Sequence, residues 1–204
     1  MICVALTFDD GYMEQFRYAQ LLYRMGVPGT FYLITGLREY MGRKLMINNK
    51  ELVRGLIDMG HEVGSHTHTH RDLTRIGINE VEEEFRLSKG IISELTGNDD
   101  DVGIAYPYGS FNGEVIRVAS KYFVYGRTMG NFNRWNEVAN RYVLGGMGAR
   151  HLIKLPIKVF KGVRLVTVVF HDEPAWLVKL VIEYLRVFNA RFVTLREGLK
   201  CLGL

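Results

Sequence analysis

The sequence predicts an α/β fold in which parallel strands alternate with helices and form a (β/α) barrel. Short apolar runs alternate with helix-like patterns along the 204-residue chain, and about seven strand–helix units of this kind favour a parallel sheet. No Gly-x-Gly-x-x-Gly pattern follows the first strand, which disfavours a dinucleotide-binding fold. The chemically interesting residues come directly after predicted strands, where a barrel gathers its functional groups.

The predicted strands are apolar runs bounded by turn residues, at 4–8, 29–34, 62–65, 104–107, 123–125, 163–170 and 191–194. The predicted helices carry apolar residues at helical spacing, at 13–25, 49–59, 79–96, 113–122 and 174–188, with a short helix closing the chain. In the helix 79–96 we expect Asn79 to be the N-cap and Glu82 to complete a capping box. Residues 126–158 have no readable pattern.

Composition excludes several classes of protein. The net charge of +4 is small and no dense Lys/Arg block is present, which disfavours a nucleic-acid binder. No apolar run is long enough to span a bilayer, and no signal-peptide pattern opens the sequence, so we expect a cytoplasmic protein. For Cys3 a buried thiol is the simplest interpretation, and a disulfide to Cys201 is the alternative.

Two adjacent carboxylates, Asp9 and Asp10, end the first apolar run and precede Gly11. Successive side chains of a strand point in different directions. The pair therefore suggests two roles, for example one metal ligand and one base. The alternative is a solvated Asp-Gly turn.

Three histidines, His66, His68 and His70, fall within five residues after the strand 62–65. On a helical turn His66 and His70 would share a face and could share a metal ion, whereas on a strand all three would face one way. Two imidazoles and one carboxylate, from Asp9 or Asp10, form a known catalytic set for a divalent ion. A polar loop of hydrogen-bonded histidines is the alternative.

Two further motifs follow later strands. In Tyr-Pro-Tyr-Gly at 106–109, the proline and glycine can hold an amide towards a cavity, where it could bind an oxyanion. His171 follows the strand 163–170 and could protonate a leaving amine. Asp172 could hold its charge or cap the next helix. A strand-ending turn and a structural histidine are the alternatives.

In this order the motifs resemble those of the polysaccharide deacetylases, the NodB-homology enzymes of carbohydrate esterase family four, over residues 6–199. The resemblance implies one catalytic domain, 1–204, with a distorted (β/α) barrel of about seven strands. It implies that Asp9 is the base, that His171 is the general acid and that the backbone amide of Tyr108 holds the oxyanion. It implies divalent-metal ligands at Asp10, His66 and His70, with zinc the expected ion and cobalt, nickel or manganese the alternatives. His68 is not expected to be a ligand.

The resemblance implies removal of N-linked acetyl groups from an amino sugar or glycan, with an N-acetylated carbohydrate or small amide as substrate. A cyclic amide or imide hydrolase of the allantoinase type and a non-catalytic glycan-binding relative are the alternatives. Two departures bear on this choice. Ala105 stands where many members carry an Arg that pairs with the base, and we expect another cation, such as Arg150, to replace it. Trp135 lies in the region of a further family motif, but its surroundings do not match.

Overall fold

The computed structural model describes residues 2–130, 133–134, 140–154, 156 and 162–204. The strands are β1 (Cys3–Phe8), β2 (Thr30–Leu33), β3 (Glu39–Tyr40), β4 (Arg43–Lys44), β5 (Glu62–Ser65), β6 (Ile104–Ala105), β7 (Gly126–Arg127), β8 (Asn133–Arg134), β9 (Met147–Gly148), β10 (Val163–Phe170) and β11 (Arg191–Phe192). The helices are α1 (Phe16–Arg24), α2 (Lys50–Asp58), α3 (Ile78–Thr96), α4 (Gly113–Tyr122), α5 (Ala175–Arg186) and α6 (Leu195–Leu202).

The main sheet has the strand order β7-β6-β5-β2-β1-β10-β8, with β11 added to β1 and β9 added to β10. Its pairs are parallel apart from β10–β8. Strands β3 and β4 form a separate antiparallel hairpin. The predicted fold class, an α/β chain folded as a distorted (β/α) barrel, is confirmed.

Strand β1 lies inside the sheet, between β2 and β10, and all six of its residues are buried. This explains its continuous apolar sequence, since a strand covered on both faces has no solvated side. At its end the ring of Phe8 stacks on Phe31 and Phe170, with centroid distances of 4.7 and 5.3 Å. The three strand ends are therefore packed together directly before Asp9.

The N-terminus of α3 differs from the prediction. Gly77 is the N-cap, and its N–H donates to Glu80 Oε2 at 2.9 Å. The prediction of Asn79 as cap and Glu82 as its partner was wrong by two residues. The reciprocal carboxylate contact of a capping box is satisfied by Glu80, so the same chemistry operates one half-turn earlier.

The fifth predicted strand, 123–125, is displaced towards the C-terminus. Phe123 still belongs to the end of α4, because its N–H donates to Ala119 O. The strand itself, β7, begins at Gly126 and ends at Arg127. Arg127, which lies in the region without a readable pattern, therefore belongs to the sheet.

Cys3 and Cys201 form a disulfide, with their Cα atoms 6.4 Å apart. The interpretation of Cys3 as a buried free thiol was therefore wrong. Helix α6 packs against the first residues of β1, where Leu195 and Leu199 belong to the same apolar cluster as Cys3. This packing brings together two cysteines separated by 198 residues. Within the described ranges, no helix has the length and hydropathy to cross a membrane.

Candidate active site

The chain bends sharply where β1 ends. Asp10 and Gly11 have φ values of +71° and +76°, and a Cβ on Gly11 would lie 2.6 Å from the Leu33 side chain. Only glycine fits there without a shift, and its conformation is one that other residues rarely adopt. The bend separates the two carboxylates, so that Asp9 and Asp10 contact different partners, as the adjacent pair suggested.

Asp10 faces two histidines. Its Oδ1 lies 3.6 Å from His66 Nε2 and 3.4 Å from His70 Nε2, and one ligand atom from each of the three residues lies within 4.8 Å of the others. His66 Nδ1 hydrogen-bonds to the carbonyl of Ala105 at 2.8 Å, which leaves Nε2 with a lone pair towards Asp10.

The protonation states of Asp10, His66 and His70 also suit the binding of a metal ion. Burial lowers the pKa of His66 to about 4, and burial followed by the charge of His66 lowers the pKa of His70 to about 4. Both imidazoles are therefore neutral at pH 7, the form that ligates metals. Burial, followed by the charge of Asp9, raises the pKa of Asp10, and a bound cation would favour its ionised form. Two neutral imidazoles and a carboxylate fit a divalent ion such as zinc.

The loop that carries the histidines is neither a helical turn nor a strand, because Thr67 and His70 have positive φ values. Its N–H groups are instead held by side chains. Buried Glu84 on α3 accepts hydrogen bonds from the N–H groups of His68 and Thr69, each at 2.8 Å. The hydroxyl of Thr67 accepts one from the N–H of His70 at 3.0 Å. The loop is thereby tied to the longest described helix.

His68 takes no part in the group formed by Asp10, His66 and His70. Its Nδ1 lies 3.1 Å from the hydroxyl of Thr35, and its ring packs over Gly36, where a Cβ would lie 2.5 Å from it. This placement agrees with the expectation that His68 is not a ligand.

Asp9 lies on the other side of the bend and is 3% exposed. Its Oδ1 forms an ion pair with the guanidinium of Arg127, and its Oδ2 lies 3.6 Å from His171 Nε2. Burial raises the pKa of Asp9, but the charges of Arg127, His66 and His171 outweigh burial and hold that pKa below its ordinary value. Asp9 is therefore an ionised carboxylate able to accept a proton.

Arg127, rather than Arg150, is the cation that pairs with Asp9. It is 1% exposed, whereas Arg150 is exposed in a 3₁₀ segment, 149–154, so the expectation for Arg150 was wrong. Arg127 on β7 is the register partner of Ala105 on β6. Residues in register on neighbouring parallel strands project from the same face, so the guanidinium comes from the strand next to the one expected.

His171 follows β10 and is joined to Asp9 through Gln15, a buried residue that sequence reasoning missed. Gln15 Nε2 donates to the backbone carbonyls of Asp9 and His171 at 2.7 and 2.8 Å, which ties the two strand ends together. Asp172 does not cap the following helix, because the N-cap of α5 is Pro174.

The Tyr-Pro-Tyr-Gly motif forms a 3₁₀ turn after β6, and Tyr108 has φ +59° and ψ +5°. Thr128 donates to the carbonyl of Gly109 at 2.6 Å, which fixes the turn against the chain that follows β7. Tyr106 is buried, with its hydroxyl donating to Tyr142 O at 3.1 Å. Trp135 lies outside the described residues.

One cleft of about 260 Å³ contains all the residues that the motifs singled out for base, acid, metal and oxyanion roles. Its lining consists of Asp9, Asp10, Tyr12, Tyr40, Met41, His66, His70, Tyr106, Tyr108, Gly109, Arg127, Met129 and His171. The acidic end of β1 and the histidine loop after β5 therefore meet at one edge of the sheet. The arrangement places the ionised carboxylate of Asp9, the group formed by Asp10, His66 and His70, and the half-exposed imidazole of His171 around one space.

Comparison with known proteins identifies related chains. The peptidoglycan-N-acetylmuramic acid deacetylase PdaA of Bacillus subtilis is 27% identical over 116 residues, which are 56% of this chain and 41% of that protein. The chain spans about half or less of the length of the first curated relatives that it matches, 41 to 52%.

Solved structures share the fold over nearly all of the chain. The Xyl-CE4 domain of a multidomain xylanase from the hindgut metagenome of Trinervitermes trinervoides has a TM-score of 0.69 at 22% identity, covering 100% of this chain and 92% of that one. BA3943, a CE4 family pseudoenzyme from Bacillus anthracis, has a TM-score of 0.69 at 17% identity, covering 97% and 65%. The family profile described as "Polysaccharide deacetylase" matches residues 2–125, more than half of the sequence. The resemblance seen in the motifs is confirmed, and this chain belongs to the polysaccharide deacetylase family.

Proposed function

We propose that this protein is a metal-dependent hydrolase that removes N-linked acetyl groups from an amino sugar or glycan. The observation that carries the proposal is the joint placement of Asp9 and His171 beside the group formed by Asp10, His66 and His70. Those three residues would hold the divalent ion, for which zinc suits the ligand set. When bound, the ion supplies Lewis acidity for polarising a carbonyl and acidifying water.

Asp9, Tyr108 and His171 carry out the proton transfers and the stabilisation of the carbonyl oxygen. Asp9, held as an anion by Arg127, accepts a proton from the attacking water as its oxygen bonds to the acetamide carbon. The backbone N–H of Tyr108 donates a hydrogen bond to the carbonyl oxygen as negative charge develops there. His171 gives a proton to the sugar nitrogen as the C–N bond breaks. The products are acetate and a free amine.

The direct test is acetate release from N-acetylglucosamine oligomers by protein loaded with zinc or cobalt. We expect Asp9→Asn and His171→Asn to lower kcat by about 10²–10⁴-fold while metal stoichiometry is retained. Asp10→Asn should lower the stoichiometry itself. Metal-loaded protein that releases no acetate across a broad glycan panel would contradict the activity, and an unchanged rate in Asp9→Asn would contradict the role of Asp9.

A cyclic amide or imide hydrolase is the second candidate. The observation that favours it is the position of Arg127, which enters from β7 instead of the Ala105 position on β6, a departure that would suit a different pocket beside the base. Ring-opening of small cyclic ureides, without acetate release from sugars, would favour this candidate. A non-catalytic role requires inactivity on both substrate classes.

The location of the protein is proposed separately from its activity. A reducing cytoplasm, the usual form of the location expected from the sequence, conflicts with the Cys3–Cys201 disulfide, since such bonds persist mainly in oxidising compartments. We therefore favour an oxidising compartment, or a cytoplasm of the hyperthermophile type in which disulfides are common. Thiol labelling of protein taken directly from its native cells distinguishes a bonded from a reduced pair.

A further inference from the structure

We propose that Tyr40 and Tyr108 form a wall across the His70 side of the cleft and make the cleft a dead end. The inference rests on the proposed deacetylase function and names its substrate more narrowly. A cleft closed on one side takes a terminal N-acetyl sugar or a short oligosaccharide, whereas the interior of a long chain must pass through both ends of a groove.

The wall is built from the loops on either side of β5. Tyr40 belongs to the β3–β4 hairpin after β2, and Tyr108 to the turn after β6. Their ring centroids lie 4.5 and 4.9 Å from the ring of His70, and their hydroxyl oxygens are 3.4 Å apart. The two tyrosines meet over the histidine, whose side chain is only 6% exposed.

Further contacts hold Tyr40 in this position. Its ring stacks on Tyr12 with centroids 6.5 Å apart, and the guanidinium carbon of Arg43 lies 3.7 Å from the centroid of the Tyr12 ring. Arg43 is the register partner of Tyr40 in the hairpin. Arginine over a tyrosine face is a favourable cation–π contact. Both strands of the hairpin therefore pack against Tyr12 in the lining of the cleft.

The wall leaves the approach to the site on the opposite side. Arg127 on β7 and His171 after β10 line the cleft, and neither strand is a neighbour of β5 in the sheet. A sugar chain entering there reaches the base and acid before it reaches the two tyrosines. Extension of the chain beyond the reacting sugar on the His70 side requires displacement of Tyr40, Tyr108 or both.

The first experiment maps which sugar loses its acetyl group. Metal-loaded wild type, Tyr40→Ala, Tyr40→Phe and Tyr23→Ala are incubated with N-acetylglucosamine hexamer, and the products are sequenced by mass spectrometry. Tyr23 is 60% exposed on α1 and outside the cleft lining, so it is the matched control. We expect terminal deacetylation by wild type and by Tyr23→Ala, and a rise of about tenfold in the internal-to-terminal ratio with Tyr40→Ala. Tyr40→Phe, which keeps the ring, should shift the ratio less.

The second experiment tests the wall without catalysis or metal. Histidine acylation by diethyl pyrocarbonate is followed by peptide mass spectrometry in metal-free protein, with His171, whose side chain is 48% exposed, as internal reference. We expect the rate at His70 relative to His171 to rise several-fold in Tyr40→Ala and to stay unchanged in Tyr23→Ala.

Each outcome decides part of the proposal. Internal deacetylation by wild type as fast as terminal deacetylation overturns the dead end. An unchanged product ratio together with unchanged His70 reactivity in Tyr40→Ala overturns the wall. If wild type releases no acetate from any glycan, the proposed function and the narrower substrate fail together, while the reactivity of His70 still decides whether the wall exists.

Discussion

Replacing Arg127 with methionine removes the guanidinium that pairs with Asp9 inside the cleft. Both side chains are almost completely buried, at 1% and 4% exposure, so solvent does little to screen the pair. Removing one partner of such a pair typically costs about 3–5 kcal/mol, because the other charge stays buried without compensation. For a chain of this size, 1 kcal/mol lowers Tm by about 2–4 °C. We therefore expect Tm to fall by roughly 6–20 °C at neutral pH.

The loss should depend on pH with a defined sign. In wild type the folded pKa of Asp9 lies below its ordinary value of 3.8, so the stability that it contributes is present above that value and is lost as the pH falls through the folded pKa. Without Arg127 the effect of burial prevails and raises the folded pKa of Asp9. Ionised Asp9 then lowers the free energy of unfolding at higher pH. This loss disappears at low pH, where Asp9 is protonated in both the folded and the unfolded protein. The deficit of the variant should therefore be largest near neutrality and narrow towards about pH 4.

Urea unfolding of both proteins across this pH range, with a chelator present, measures the deficit without a contribution from bound metal. Arg117→Met, an exposed substitution on α4, is the control and should change stability by less than about 0.5 kcal/mol. Because Ala105 and Arg127 share a register, the double variant Ala105→Arg/Arg127→Ala should recover part of the loss. A deficit below about 0.5 kcal/mol for Arg127→Met at neutral pH, or one that grows as the pH falls, would refute the reasoning.

Three further predictions concern residues away from the base. Glu84→Gln should weaken metal binding by about 10–100-fold in a chelator-dye competition, because it loosens the histidine loop, whereas exposed Glu83→Gln should not. Burial raises the pKa of Glu62 above 4.5. The free energy of unfolding therefore falls as the pH rises through the folded pKa of Glu62 and its buried carboxyl group ionises. Glu62→Gln should therefore unfold at higher urea than wild type near pH 8 but not near pH 4, and a variant that is weaker at the higher pH contradicts this. Reduction of Cys3–Cys201 should lower the free energy of unfolding by about 2–4 kcal/mol, and Cys3→Ala should abolish the effect of dithiothreitol on unfolding.

The sequence was most informative where a single segment contains its own signal. The apolar run before Asp9 indicates a strand buried on both faces, and the carboxylate pair and the histidine cluster, each directly after a strand, indicate a functional site when they are taken together. The sequence was least informative where a contact depends on register between strands. Arg127 lies on a two-residue strand that is too short for any periodic pattern, and its partner is 118 positions away. Gln15 bonds only to backbone carbonyls at this site, which are the same for every residue type.

The bends of the chain explain why the motifs are informative at all. Six described non-glycine residues have positive φ values, and all but Asn189 lie in the cleft or in its histidine loop, namely Asp10, Met41, Thr67, His70 and Tyr108. Each such conformation costs about 1–2 kcal/mol in an L-residue, so five at one site require many compensating contacts. The hydrogen bonds of the histidine loop to Glu84 and the packing at Gly11 are of this kind. The motifs therefore specify backbone turns as well as ligands, and the turns direct neighbouring side chains to different partners around one cleft.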